Sequence, residues 1–135
     1  MTARRRPHCA LPLPIPAEHD RQILLLLVRK MAIHGLKDAQ AVMLAMHGFG
    51  SGFRRPLAFL RCFMHELAGC SNRKIQFAPC CASRMTRDEA LLLDVLGRAD
   101  LAALSALTDN DDCGQALAVA QALQPELELL AARVT

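Results

Sequence analysis

The stretch TRDEALLLDVLG, residues 86–97, carries the clearest structural signal in the chain. Thr86 can cap a helix by accepting a hydrogen bond from the backbone N–H of Glu89, and the Glu89 carboxylate can accept from the N–H of Thr86. Apolar residues follow at helical spacing, and Gly97 supplies an end signal. These features predict an α-helix over 86–97.

Helical signals continue on both sides of this segment. Six further segments combine apolar residues at helical spacing with capping or termination residues, namely 17–34, 37–47, 56–68, 100–107, 111–124 and 126–133. Pro125 is expected to open the last of them. The sequence therefore predicts an all-α protein, a compact bundle of five or six helices with an irregular cysteine-containing loop at 70–85.

The first 16 residues differ in composition from the rest of the chain. They contain three consecutive arginines, Arg4 to Arg6, and a proline at every second position from Pro12 to Pro16, which favours extended polyproline-like chain. We predict a flexible Arg/Pro-rich N-terminal tail over 1–16 and a single helical domain over 17–135, since this length suits one domain.

The hydropathy pattern argues against membrane insertion. The longest apolar run, Ile23–Val28, has six residues, whereas a membrane-spanning helix needs roughly 20. The basic start is not followed by the unbroken apolar region of a secretory signal. We expect a cytoplasmic protein without membrane contact, in which cysteines are thiols, metal ligands or redox sensors rather than structural disulfides.

Charge is distributed unevenly along the chain. Residues 1–85 hold 13 Lys/Arg and 4 Asp/Glu, a net charge of +9, whereas residues 86–135 hold 3 Lys/Arg and 9 Asp/Glu, a net charge of −6. The basic half can form a surface for nucleic acid or an acidic partner, or the two halves can attract each other within one fold. No helix-turn-helix pattern accompanies the basic half.

Four of the six cysteines fall within residues 62–81, and they make the strongest candidate site. Cys62 lies opposite the apolar stripe of its helix on a helical wheel, where a following loop can settle. The candidate metal ligands are Cys62, Cys70, Cys80, Cys81 and His65. Thiolate and imidazole ligands suit zinc, and four thiolates suit zinc or an iron–sulfur cluster.

Three interpretations of these cysteines remain open. The spacing Cys-x7-Cys-x9-Cys-Cys is not a standard metal-binding pattern, and adjacent Cys80 and Cys81 cannot easily both point at one ion. The cysteines can instead be small buried hydrophobes. They can also form a thiol switch in which Cys70 or Cys81 resolves a sulfenate. Cys9 and Cys113 are not assigned to the cluster.

Other motifs give weaker signals. The glycine-rich segment 48–52 lacks the strand and the spacing of a phosphate-binding loop and is expected to connect two helices. The segment 109–120 lacks the glutamate that completes a calcium loop. No catalytic set of side chains is indicated, so the sequence gives no support for an enzyme.

The segments GFG at 48–50, FRRPL at 53–57 and APCCxSRMTxDE at 78–89 resemble an uncharacterised group of short alphaproteobacterial proteins. The similarity spans residues 35–89, about 40% of the chain. The resemblance implies a bacterial, cytosolic protein and assigns no activity or site residue.

The leading hypothesis is a small cytosolic regulatory or adaptor protein that carries a cysteine-ligated metal (zinc or iron–sulfur) or redox site, with a protein partner or a second copy of itself. The first alternative is a module that binds nucleic acid or an acidic partner through the basic half. The second is a purely structural interaction domain with buried free thiols.

Overall fold

A computed structural model describes residues 13–134, with side chains described as far as Leu130. Within that range the chain forms six α-helices, a short 3-10 turn at Gly50–Gly52 and a two-stranded antiparallel ladder. The helices are α1 (His19–His34), α2 (Ala39–Phe49), α3 (Arg54–Cys70), α4 (Arg87–Arg98), α5 (Leu101–Thr108) and α6 (Gly114–Val134). The predicted all-α class and helix number are confirmed, and none of the described helices is long and apolar enough to cross a membrane.

Local capping explains where several helices begin. The capping box predicted at Thr86 and Glu89 is present, with Glu89 N donating to Thr86 Oγ1 at 3.0 Å and Thr86 N donating to Glu89 Oε1 at 2.9 Å. Asp38 accepts from the Ala41 N–H at the start of α2, and Asp100 accepts from the Ala103 N–H at the start of α5. Each cap satisfies a backbone donor that the helix itself leaves unpaired.

The prediction of two helices separated at Pro125 is wrong, because α6 runs through that residue as one helix. Proline removes one backbone hydrogen bond from a helix interior and crowds the preceding turn, which costs about 3 kcal/mol. Tertiary packing opposes that cost. The helix carries one continuous buried stripe, formed by Ala116, Ala120, Leu123 and Leu130.

The core is built from three helix pairings, of α3 with α6, α4 with α5, and α1 with α2. The predicted apolar stripe of α3 is buried as a whole, and its members are Leu57, Leu60, Phe63, Met64 and Leu67. Cys62 is exposed, as its position opposite the stripe predicts. Helical spacing thus assigns both faces of α3 correctly.

The irregular loop between α3 and α4 ends in a short strand. Strand β2 (Arg84–Met85) pairs antiparallel with β1 (Leu13–Pro14), which belongs to the segment predicted as a tail. The chain just before α1 is therefore in contact with the end of the cysteine-containing loop. The rest of the predicted tail, including Arg4 to Arg6 and Cys9, lies outside the described residues.

Candidate functional site

The predicted metal ligands are distributed over two parts of the molecule. Cys62 and His65 are exposed on α3, whereas Cys80 is half-buried and Cys81 exposed in the loop that follows. In the part of the chain that the structure describes, no group of three or more histidine, cysteine, aspartate or glutamate side chains is placed to hold a metal ion. Zinc or iron–sulfur binding stays a prediction.

Cys70 is joined to Cys113 by a disulfide. Cys70 is the last residue of α3 and Cys113 directly precedes α6, and their Cα atoms lie 5.7 Å apart, a separation that suits a disulfide. The prediction that Cys113 does not join the cysteines at 62–81 is therefore wrong, because Cys113 pairs with Cys70. The two cysteines are 43 residues apart in sequence, and only the packing of α3 against α6 brings them together.

One sequence signal for this pairing was overlooked. Cys113 is 4% exposed and stands three residues before Ala116, so it continues the buried stripe of α6 towards its N-terminus. A cysteine in register with a buried stripe faces the neighbouring helix, which here is α3. In the disulfide form Cys70 has no thiolate to offer a metal.

Hydrogen bonds surround the disulfide and join the same two segments. The Asn110 side chain donates to the Cys70 carbonyl at 2.8 Å, and the Asn72 N–H donates to the Thr108 carbonyl at 2.8 Å. The Asn72 side chain also donates to the Asp109 carbonyl at 3.1 Å. The end of α3 is therefore attached to the connection between α5 and α6 by three hydrogen bonds besides the covalent link.

A fully buried ion pair fixes the cysteine-containing loop to the helices. Arg29 of α1 donates to Glu89 of α4 from Nε at 2.7 Å and from Nη2 at 3.0 Å. Arg29 also donates to the carbonyls of Ala82 and Arg84 at 3.1 and 2.8 Å, and Glu89 accepts from the Ala78 N–H at 3.0 Å. The pair thus has hydrogen-bond partners in the loop on both sides of Cys80 and Cys81.

A second carboxylate of α4 holds the first half of the loop. Asp88 forms a bidentate ion pair with Arg73, and its Oδ2 also accepts from the Gln76 N–H at 2.8 Å. The Thr86 hydroxyl donates to the Gln76 carbonyl at 2.8 Å. Asp88 and Glu89 lie in the first turn of α4, where the helix dipole favours negative charge.

Cys80 and Cys81 lie at the tip of this anchored loop. The Ala82 N–H donates to the Pro79 carbonyl at 3.0 Å, which closes a turn with the two cysteines at its central positions. Cys81 is exposed and Cys80 half-buried. The turn presents one free thiol to solvent and keeps its neighbour partly covered.

Ion pairs between the basic and the acidic half of the sequence are a general feature of the fold. Of the six salt bridges among the described residues, four join residues 1–85 to residues 86–135, namely Arg21–Asp94, Arg29–Glu89, Arg55–Glu126 and Arg73–Asp88. The interpretation in which the two halves attract each other within one fold is supported by these contacts. Part of the positive charge of residues 1–85 is therefore neutralised inside the molecule.

These observations define a class, a small six-helix protein with a covalently linked pair of helix ends and a cysteine-bearing loop held by buried charge. The sequence profile of DUF6628, a family of unknown function, matches residues 2–135, and the chain belongs to this family. Comparisons with curated proteins and with solved structures gave no match. The resemblance to an uncharacterised family is confirmed, and the family assigns no activity.

Proposed function

We propose that the protein is a small cytosolic regulatory or adaptor protein whose responsive element is the Cys70–Cys113 pair. The observation that carries the proposal is the disulfide between the end of α3 and the start of α6. Cytosolic disulfides are uncommon and are usually transient or redox-sensing, so a cytosolic location favours a switch over a structural bond.

The two cysteines differ in burial, which suits reversible exchange. Cys113 is buried, whereas Cys70 is half-buried, so a thiol from solvent is expected to attack at Cys70. A glutathione thiolate bonds to Cys70 Sγ and releases Cys113 as the leaving thiolate, and a second glutathione then attacks the mixed disulfide, which frees Cys70 and forms oxidised glutathione. In the opposite direction, oxidised glutathione converts the two thiols to the disulfide and is itself reduced to two glutathione molecules.

The hydrogen bonds around the pair allow both redox forms to keep the fold. Without the disulfide, Asn72 and Asn110 still attach the end of α3 to the connection between α5 and α6. Reduction then loosens this end of the molecule without removing its hydrogen bonds. A protein partner that recognises this end would distinguish the two forms.

A redox titration tests the proposal. The protein is equilibrated in glutathione buffers of stepped ratio, quenched by alkylation and mapped by mass spectrometry. The disulfide-linked Cys70–Cys113 peptide is expected to disappear as the buffer becomes more reducing. The midpoint potential is expected within about 40 mV of −240 mV, since regulatory pairs are poised near the cytosolic glutathione potential. A bond resistant to every glutathione ratio, or oxidised protein linked through other cysteines, contradicts the proposal.

The alternative hypothesis for the cysteines is a metal site, with Cys62, Cys80, Cys81, His65 and reduced Cys70 as ligands. Metal analysis of protein purified under reducing and anaerobic conditions distinguishes the metal site from the redox pair. Stoichiometric zinc or iron would favour the metal site, and a metal-free protein with a reversible Cys70–Cys113 bond would favour the redox pair.

A further inference from the structure

A pocket of about 400 Å³ lies between the C-terminal half of α1, the C-terminal half of α3 and the loop segment 71–77. This volume falls within the range typical of small-molecule sites. Most of its wall is apolar and comes from Met31, Leu36, Met64, Leu67, Ile75 and Phe77. The pocket is separate from the disulfide and from the Cys80–Cys81 turn.

The polar groups of the pocket carry positive or no charge. They belong to His65, Ser71 and Arg73, and no aspartate or glutamate is among the described residues that line the pocket. Asp88, which pairs with Arg73, does not line it. The wall is apolar and its polar side chains include hydrogen-bond donors, so the pocket is complementary to a ligand with an apolar body and a head that accepts hydrogen bonds, such as a carboxylate.

Arg73 retains a donor for such a head. Its Nε donates to the Ala106 carbonyl at 3.4 Å, Nη1 donates to the Lys74 carbonyl and to Asp88, and Nη2 donates once to Asp88. A guanidinium group has five N–H donors, two of them on Nη2. Within the described residues the second N–H of Nη2 has no acceptor.

The loop wall of the pocket is held in place by a hydrogen bond within the loop and by contacts with α4. The Ser71 hydroxyl donates to the Arg73 carbonyl at 2.6 Å, and Arg73 itself is fixed by Asp88. Beyond Phe77, the Ala78 N–H donates to Glu89. Because these bonds are all made between groups of the protein, the segment 71–77 has anchors of its own, and a preorganised site binds more tightly.

We propose that this pocket binds a small amphipathic carboxylate, with an alkyl or aryl body against the apolar wall and the carboxylate at Arg73 and His65. A pocket volume of about 400 Å³ has room for a short alkyl or aryl body. A carboxylate accepts bonds from guanidinium more strongly than a neutral oxygen does.

The first test is a titration of the protein with octanoate. Binding is monitored by heteronuclear NMR of the whole chain. Saturable shifts are expected for residues of the pocket, and the Ala68→Trp variant is expected to weaken binding by about tenfold or more, because a buried ligand surface is lost. Ala68 is an exposed residue of α3 that lines the pocket, so the indole fills the cavity without entering the core.

Two variants keep this test interpretable. Ala58→Trp places the same side chain at an exposed position of α3 that does not line the pocket, and its affinity is expected to match the wild type. Ala32→Trp fills the pocket from α1 and replaces Ala68→Trp if that variant does not fold. Absence of saturable shifts, or equal affinity in the filled and control variants, overturns the proposal.

A second ligand tests the head group. 1-Octanol has the same alkyl body without the charge, and it is expected to bind about fivefold more weakly than octanoate. His65→Gln is expected to reduce the affinity for octanoate and to leave that for 1-octanol unchanged. Equal binding of the two ligands by the wild-type protein contradicts a carboxylate site. Measurement with and without dithiothreitol separates this result from that of the redox titration.

Discussion

Two irregular regions of the molecule are held to the helices by different chemistry. The loop 71–86 is fixed by charged side chains of α1 and α4, chiefly the buried Arg29–Glu89 pair. The connection 109–113 is fixed by the Cys70–Cys113 disulfide and by neutral hydrogen bonds. Of the two anchors, only the second contains a bond that a reductant breaks, so loss of the disulfide is expected to have local effects at one end of α3 and α6.

The largest effect is expected when the charged anchor of the loop is broken. Arg29→Met leaves Glu89 as a buried charge without its partner and leaves the Ala82 and Arg84 carbonyls without this donor. Removing one member of a buried ion pair typically costs about 3–5 kcal/mol. Urea denaturation followed by circular dichroism measures the loss in the free energy of unfolding.

The double variant Arg29→Met with Glu89→Leu is the control for this prediction. It removes both charges together, so it is expected to recover part of the stability lost in Arg29→Met. Its loop remains less protected from hydrogen exchange, because the carbonyls of residues 82 and 84 have lost the bonds from Arg29. A loss below about 1 kcal/mol in Arg29→Met would show that the pair does not anchor the loop.

Removal of the covalent anchor is expected to have the next largest effect. Cys70→Ser opens a link between residues 43 apart, for which the chain-entropy relation gives up to about 4 kcal/mol under oxidising conditions. In dithiothreitol the wild type has no disulfide either, so the difference between the two proteins is expected to fall below about 1 kcal/mol.

Cys62→Ser is the matched control, since Cys62 lies on the same helix and is an exposed free cysteine. Its stability is expected to equal that of the wild type with and without reductant. If Cys70→Ser equals the wild type in the absence of reductant, the disulfide does not form in solution.

The contrast between the two anchors also shows what the sequence can predict. The helix at 86–97, its capping box and the buried face of α3 follow from signals within about one or two helical turns. These features depend mainly on residues that are close in sequence. The continuity of α6 through Pro125 was missed because packing against α3 and α4 outweighs the local preference of proline.

Both anchors were missed for the same physical reason. Arg29 and Glu89 are 60 residues apart, and Cys70 and Cys113 are 43 apart, so neither pair is adjacent until the helices pack. Each pair left a partial signal. Arg29 lies one helical turn after buried Leu25 on α1, so it is on the face of the helix that packs into the core. A charged side chain on such a face requires a partner. The sequence gives no means of selecting Glu89 among the acidic residues.

A smaller effect is expected at the junction of the loop with α4. Thr86→Ala removes the side-chain acceptor of the Glu89 N–H and the donor to the Gln76 carbonyl. Loss of an N-cap costs about 1 kcal/mol, and the second hydrogen bond raises the expected loss to about 2 kcal/mol. Thr86→Ser keeps both bonds and is expected to stay within about 0.5 kcal/mol of the wild type. If Thr86→Ser lost as much stability as Thr86→Ala, the loss would come from the threonine methyl group, which both variants lack.

The smallest effect is expected at a surface contact between the same two halves of the sequence. Arg55 of α3 pairs with Glu126 of α6 at 3.2 Å, but its side chain is 71% exposed. Water and salt screen such a pair, so Arg55→Ala is expected to cost less than about 0.5 kcal/mol. This pair and Arg29–Glu89 both join the basic to the acidic half, and they differ in burial. If Arg55→Ala lowered the free energy of unfolding almost as much as Arg29→Met, ion pairs between the two halves would stabilise the fold even where they are exposed to water. A small loss would instead assign the role of anchor to the buried pair, whose carboxylate and guanidinium also bond the loop backbone.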